Sequence, residues 1–291
     1  RDSEQSDSEQ SDSEVAAPDP VTLLVKRVMQ SAMQTAKRAA QLEMQMAKRP
    51  AQLERLAALP EHLRLGVTLP GMRQLLLQLP RDAMEQVNAK MEERNAKLVA
   101  QGKTPFPMNV AVNGYINQFF IECWEQEDGL AVCERLQKQG SPHVGEATVF
   151  VSWFLDTPIA TLLDALANFL EQQGLREEDT FFWVCDYVIR QTDVKTDLAR
   201  LGECVSAVGH TVLLMEPWDA PDPLKRAYCI KEVYYTQKSE AQFDVVMSSA
   251  QQAAFEAALV DDFDSIQASL DKVGLGRQNF KRHSWTSHPS N

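Results

Sequence analysis

Four short apolar runs decide the fold: ATVFVSWF at Ala147–Phe154, TFFWVCDYV at Thr180–Val188, TVLLM at Thr211–Met215 and FDVVM at Phe243–Met247. They are rich in Val, Phe and Thr and lack simple polar–apolar alternation, the pattern of strands buried on both faces. Longer amphipathic segments separate them. After the first run Thr157 offers an N-cap and Pro158 an N1 residue. Ile159, Leu162, Leu163, Leu166, Phe169 and Leu170 then recur at helical spacing until Gly174 stops the helix. Asp193 is placed to cap the next helix, whose stripe is Val194, Leu198, Leu201, Cys204, Val205 and Val208, with Gly209 as its stop. Asp222 and Pro223 open a third with Ala227, Ile230 and Tyr234 as its inner stripe, and two more helices are expected at 249–259 and 262–273. A βαβαβαβα order with short connections predicts an α/β domain over residues 146–273. Right-handed crossovers would make it a doubly wound, flavodoxin-like parallel sheet of about four strands.

Upstream, residues 21–140 read as an all-helical extension. Val112, Tyr115, Ile116, Phe119, Phe120, Cys123 and Trp124 form a wide apolar stripe, and Leu130, Cys133 and Leu136 a shorter one, so these helices must pack on each other or on the sheet. Leu-Pro at 59/60, 69/70 and 79/80 cuts residues 50–81 into short pieces. Earlier still, AKRAAQLE at 36–43 recurs as AKRPAQLE at 47–54. The pairs Lys26-Arg27, Lys37-Arg38 and Lys48-Arg49 share that eleven-residue spacing, which lines them up on one helix face ~16 Å apart. They are the candidate partner-binding residues, a basic rail for an acidic protein, an anionic lipid surface or nucleic acid. The plainer reading is a solvated face opposite a packed stripe.

Charge is uneven along the chain. The net charge is −12 overall, but residues 1–20 carry seven acids against Arg1, whereas residues 21–100 carry thirteen Lys/Arg against seven acids. The Ser-Asp-Ser-Glu-Gln repeat of residues 1–20 has too little apolar surface to order itself. The tail Gly274–Asn291 combines Arg277, Lys281, Arg282, His283 and Trp285, a weak signal for nucleic acid, which is not expected as a partner. No run reaches the roughly 18–20 apolar residues of a membrane span. The chain starts at Arg1, so an upstream leader stays open. Cys123, Cys133, Cys185, Cys204 and Cys229 are odd in number and set among apolar residues, the usage of reduced thiols in an intracellular, reducing compartment. With no CxxC pair and no His in ligand spacing, no metal site is expected.

In a parallel sheet, ligands bind beyond the carboxyl ends of the strands. Those ends offer Asp156, Asp186, Arg190, Gln191, Glu216, Trp218 and Asp219. No GxGxxG, GxxxxGK[ST] or GxSxG follows any strand, so dinucleotide-fold, P-loop and serine-hydrolase chemistry lack support, and no cofactor is expected.

The run Val149-Phe-Val-Ser152 and the segment Met215-Glu-Pro-Trp-Asp-Ala-Pro-Asp-Pro-Leu-Lys-Arg-Ala-Tyr-Cys-Ile-Lys-Glu232, with Trp183 and Gln191 between them, resemble Toll/interleukin-1-receptor-like (TIR-like) domains. The similarity is to a largely uncharacterised algal and protist group with PW, then P-L, then R-x-W-C-x-x-E. It spans about residues 146–273, with Tyr228 where Trp is usual, Arg190 where Asn is usual and Cys185 where an acid is usual. The resemblance implies self-association through helix and loop surfaces. In members that cleave NAD it implies that Glu232 is the catalytic carboxylate, with Tyr228, Trp218, Asp186, Lys225 and Arg226 as candidate substrate-binding residues. Two features count against catalysis. Glu232 stands ~13 Å along its helix from the crevice end, and Lys225 and Lys231 offer it ordinary surface partners. The expected function is therefore a non-catalytic interaction subunit of a larger assembly. The alternatives are an NAD glycohydrolase using Glu232, with NAD as substrate, and a peripheral membrane protein binding anionic lipid through residues 21–56.

Overall fold

The computed structural model describes residues 50–261. The acidic repeat, the three Lys-Arg pairs, the helix expected at 262–273 and the C-terminal tail lie outside the described residues. In chain order the elements are helix α1 (residues 50–57), a 3-10 turn at Glu61–Arg64, β1 (Leu65–Val67), α2 (Leu69–Leu76), α3 (Ala83–Ala100), α4 (Gly114–Asp128), α5 (Val132–Lys138), β2 (Val144–Glu146), β3 (Val149–Ser152) and α6 (Ile159–Gln173). They continue with β4 (Phe182–Trp183), α7 (Cys185–Val188), α8 (Val194–Leu198), α9 (Leu201–Val208), β5 (His210–Leu214), a 3-10 turn at Asp222–Lys225, α10 (Ala227–Lys238), β6 (Gln242–Val246) and α11 (Ser249–Asp261). The stop signals act as read: Gly174 and Gly209 take φ +65° and +71°, conformations that only glycine adopts at little cost. The stripe after Asp193 is one face but two helices, α8 and α9, broken at Ala199–Arg200.

The sheet corrects the expectation of about four parallel strands: it has six and is mixed. Its order is β2-β1-β4-β3-β5-β6. The four expected runs are neighbours and run the same way, with Phe150 opposite Trp183 on one side and Thr211 on the other, and β6 in register along β5. Beyond β4 the chain adds two antiparallel strands from upstream, β1 on β4 (Val67 opposite Phe182) and β2 on β1. A three-residue strand among Leu-Pro breaks carries no periodicity of its own. Its fit depends on Gly66, where a Cβ would meet the backbone of Phe181 and Phe182 at 3.0 Å.

Two strands differ from the pattern read in them. Only Phe182–Trp183 of the Thr180–Val188 run is strand, and Cys185–Val188 is a helical turn. Tyr187 and Val188 are buried in that turn, so a buried helix and a buried strand produce one continuous apolar run. Strand β6 lies at the sheet edge with Phe243 and Val245 exposed, not buried on both faces.

From Gln52 onward the described residues form one unit with one main core. That core mixes residues from both sides of position 146. Leu63, Leu65, Val67, Leu69 and Met72 share it with Phe150, Phe169, Trp183 and Val212. Trp183 stacks on Phe150 at 4.6 Å between centroids and donates its indole N–H to Leu63 O at 3.0 Å. A second buried pair, His62 Nε2 with Asp197 Oδ1 at 2.9 Å, ties the 3-10 turn before β1 to α8.

Candidate functional site

The chain leaves β3 in opposite directions, to β4 on one side and, after β4, to β5 on the other. Crevices for ligands form at such a reversal, outside the carboxyl ends of the strands. Ser152 is the last residue of β3 there, opposite Leu213 of β5.

Helix α10 lays a polar face on this point. The stripe expected from sequence, Ala227, Ile230 and Tyr234, is wrong: Ile230 is 52% and Tyr234 56% exposed, while Cys229, Glu232 and Thr236 are the buried positions. Each polar member of that face has a partner. Thr236 Oγ donates to Thr211 Oγ at 2.9 Å, Cys229 Sγ to Trp153 O at 3.4 Å, and Ser152 Oγ to Glu232 Oε2 at 2.5 Å. Because polar residues fill the inward positions, the apolar ones face out, and a hydrophobic stripe picks the wrong side. Helix α10 begins at Ala227, after a separate 3-10 turn, so Glu232 stands only ~8 Å along it. It is 8% exposed, not a solvated partner of Lys225 or Lys231. Lys225 pairs instead with Asp222 at 2.6 Å, and Lys231 lies over the Tyr235 ring. Burial pushes the Glu232 carboxyl up to about 7, against the opposing pull of the Ser152 hydrogen bond and the Arg226 charge.

Asp186 sits in the first turn of α7 and is fully buried. Asn117 Nδ2 donates to its Oδ2 at 3.0 Å and Gln118 Nε2 to its Oδ1 at 2.9 Å, both from α4. Burial pushes Asp186 up to about 6, while those amides, the Cys185 thiol and the Arg226 charge pull it down. Cys185, whose Sγ donates to Asp186 Oδ1 at 3.4 Å, is held well above the usual thiol range by burial and by the charges of Asp186 and Glu232. Cys229 is pushed up to about 11, again chiefly by burial. Neither thiol is a ready nucleophile. Arg226 acts on Asp186, Cys185, Cys229 and Glu232 alike, so these groups share one electrostatic neighbourhood, and its Nη1 donates to Trp153 O at 3.4 Å.

Helix α4 closes the upper side of this cluster. Its N-cap is Asn113, whose Oδ1 accepts from Ile116 N at 3.1 Å and whose Nδ2 donates to Asp156 Oδ1 at 3.1 Å. Gly114 N donates to Leu155 O at 2.7 Å. A Cβ at Gly114 would stand 2.7 Å from Leu155 Cδ2 and 2.9 Å from Trp153 Cη2, so the helix rests on the loop that follows β3. Further along, Glu125 Oε2 accepts from Thr192 N at 3.0 Å. Glu125 Oε1 and the Trp153 indole nitrogen are the buried side-chain polar atoms left without a partner among the described residues.

The structure thus puts Glu232, Asp186 and Arg226 in one electrostatic neighbourhood, sets the Arg226 guanidinium 5.9 Å from the Tyr228 ring centroid, and gives Trp218 and Lys225 partners elsewhere. Tyr228 is itself 45% exposed. Trp218 packs edge-on against Phe255 at 5.4 Å, and its backbone N–H is taken by Gln251. Glu216 accepts from Ser248 N at 2.7 Å, Arg190 pairs with Glu134 at 2.7 Å, and Gln191 donates to Ile189 O at 3.0 Å. Sequence reasoning missed Asn117, Gln118 and Trp153 as parts of the site. The stripe assigned to α4 included Tyr115 and Cys123, which are exposed, whereas Asn117 and Glu125 are buried. The available signal was polar residues at i, i+4 and i+12 (Asn113, Asn117 and Glu125) on a helix otherwise apolar on that side.

Among the described residues no group of three His, Cys, Asp or Glu is placed to hold a metal ion, and no helix is long and apolar enough to cross a membrane. The cysteines are free: Cys133, Cys204 and Cys229 are buried and Cys185 half-buried, while Cys123, expected to be buried, is exposed. Comparison of the chain with protein-family models, curated proteins and solved structures finds no match. Fold and site define an α/β protein with a mixed six-stranded sheet and buried carboxyl groups, Glu232 and Asp186 among them, beside the carboxyl ends of its central parallel strands.

Proposed function

We propose that this is a TIR-like, flavodoxin-like domain that hydrolyses the nicotinamide–ribose bond of NAD, with Glu232 as its catalytic carboxylate. The observation that carries the reading is the inward placement of Glu232, hydrogen-bonded to Ser152 at 2.5 Å at the reversal of strand order. The parallel order β4-β3-β5-β6 agrees with the same class of fold. A carboxyl held near 7 is substantially ionised at neutral pH. Ionised, it accepts hydrogen bonds from the ribose hydroxyls and stabilises positive charge on the ribose as the C1′–N bond breaks. Water then adds to C1′, giving nicotinamide, ADP-ribose and a proton. Arg226 supplies a cation at the same crevice for the substrate phosphates.

Purified protein incubated with NAD should release nicotinamide, and Glu232→Ala should reduce release by at least ~100-fold. No turnover by the wild type, free or clustered on beads, sinks the proposal.

A second reading, a non-catalytic interaction subunit, is favoured by the exposed apolar side chains Tyr228, Ile230 and Tyr234 of α10 and Phe243 and Val245 of β6. Sedimentation at increasing concentration tests self-association, with Tyr234→Ser as the control. Lipid binding by residues 21–56 rests on the three Lys-Arg pairs, which lie outside the described residues, and flotation with anionic vesicles at two salt concentrations decides it.

A further inference from the structure

Resting on the proposed NAD-cleaving activity, we infer that Asp186 reads the carboxamide of the substrate's nicotinamide. In this structure Asn117 and Gln118 of α4 hold that subsite as internal substitutes for the ligand.

The two groups on Asp186 are chemically what the ligand would bring. Asn117 and Gln118 end in primary carboxamides, the functional group of nicotinamide, and each donates an N–H to a different oxygen of the same carboxylate, at 3.0 and 2.9 Å. Burying a carboxylate without donors is costly, and these amides supply one to each oxygen, with the Cys185 thiol at 3.4 Å as a further donor to Oδ1. The position also suits the chemistry, since Asp186 lies in the turn after β4 while Glu232 is bonded to Ser152 at the end of β3, the neighbouring strand. One acid can therefore hold the leaving group while the other serves the ribose. A carboxamide has a carbonyl as well as an NH₂. The Trp153 indole N–H, buried without an acceptor next to the first turn of α4, supplies an unmatched donor of the complementary kind. The helix that carries the substitutes is fastened at both ends. Gly114 permits its close seat on Trp153 and Leu155, and Glu125 fastens its far end to Thr192. A ligand at Asp186 must displace these amides, so its apparent affinity is reduced by the fraction of molecules in which α4 is closed.

The test uses nicotinamide and nicotinic acid, which differ only in presenting a carboxamide or a carboxylate, with binding measured by ligand-observed NMR and calorimetry. Gln118→Ala, at a half-buried position, should raise affinity for nicotinamide about tenfold and leave nicotinic acid unchanged. Asp186→Asn should abolish the preference between the two. Asn117→Ala provides the same comparison if Gln118→Ala does not melt cooperatively. Equal gains for both ligands, or no gain in a folded variant, overturn the inference. A protein that prefers nicotinamide through Asp186 yet leaves NAD intact would retire the hydrolase reading and keep the subsite. Cleavage of NAD that depends on Glu232, with no Asp186-dependent preference, would do the reverse.

Discussion

Glu232 binds its proton more tightly in the folded chain than in the unfolded one, because burial opposes its charge. Between pH 4.5 and 7 the native state therefore holds more protons than the unfolded state, and stability falls as pH rises through that window. Above pH 7 the cost is roughly 3 kcal/mol for a shift of this size. Glu232→Gln should accordingly melt higher than wild type at pH 8 and close to it at pH 4.5, as followed by circular dichroism. An equal effect at both values would mean that the residue is not buried as a carboxyl. Asp186, pushed up to about 6, adds a loss of the same sign at lower pH. Ser152 works against burial, since its hydrogen bond favours the charged form of Glu232. Ser152→Ala should raise that carboxyl further and move the acid limb of the NAD-cleavage profile to higher pH, seen in initial rates from pH 5 to 9. The identity of Glu232 as a residue to watch was legible through its motif. Its burial was not, because a Glu among Lys residues on a helix reads as solvated until a partner such as Ser152, eighty positions away, is placed beside it.

At the scale of elements, α10 and α4 both place polar side chains inward. Hydrophobic periodicity assumes that the apolar side faces the core, and both helices break that assumption where they meet the carboxyl ends of the parallel strands. Ile230→Ser should thus change stability by no more than about 0.5 kcal/mol in urea unfolding, since Ile230 lies outside the packed face. Gly114→Ala should cost about 1–3 kcal/mol, because its Cβ meets Leu155 and Trp153 below 3 Å and the Leu155 backbone at 3.0 Å. A melting temperature unchanged from wild type would show that α4 is not seated as described. Helix ends and the turns that stop them were easier to read, since Gly174 and Gly209 act through their own backbone freedom and need no distant partner.

For the molecule as a whole, the boundary near residue 146 separates two sequence patterns but not two cores. Strand β1 covers the outer edge of β4, Leu63 accepts the Trp183 indole N–H, and His62 meets Asp197. A chain of residues 146–273 should lack a cooperative melt and aggregate, having lost the covering strands and exposed the β4 edge. Residues 50–261 should unfold in one transition, as scanning calorimetry would show. A cooperative transition from the shorter chain would mean that the upstream residues are an accessory layer.

The sequence by itself determined the order of parallel strands and helices and the stops that end α6 and α9, because period and glycine act over a few neighbouring residues. It also marked Glu232, Asp186 and Arg226 as worth testing. Only the tertiary structure decided the mixed edge of the sheet, the inward turn of Glu232 and the placement of Asn117 and Gln118 on Asp186. Each of these depends on pairing, burial or hydrogen bonding between residues tens of positions apart, where the free energy belongs to the pair and no local pattern records it.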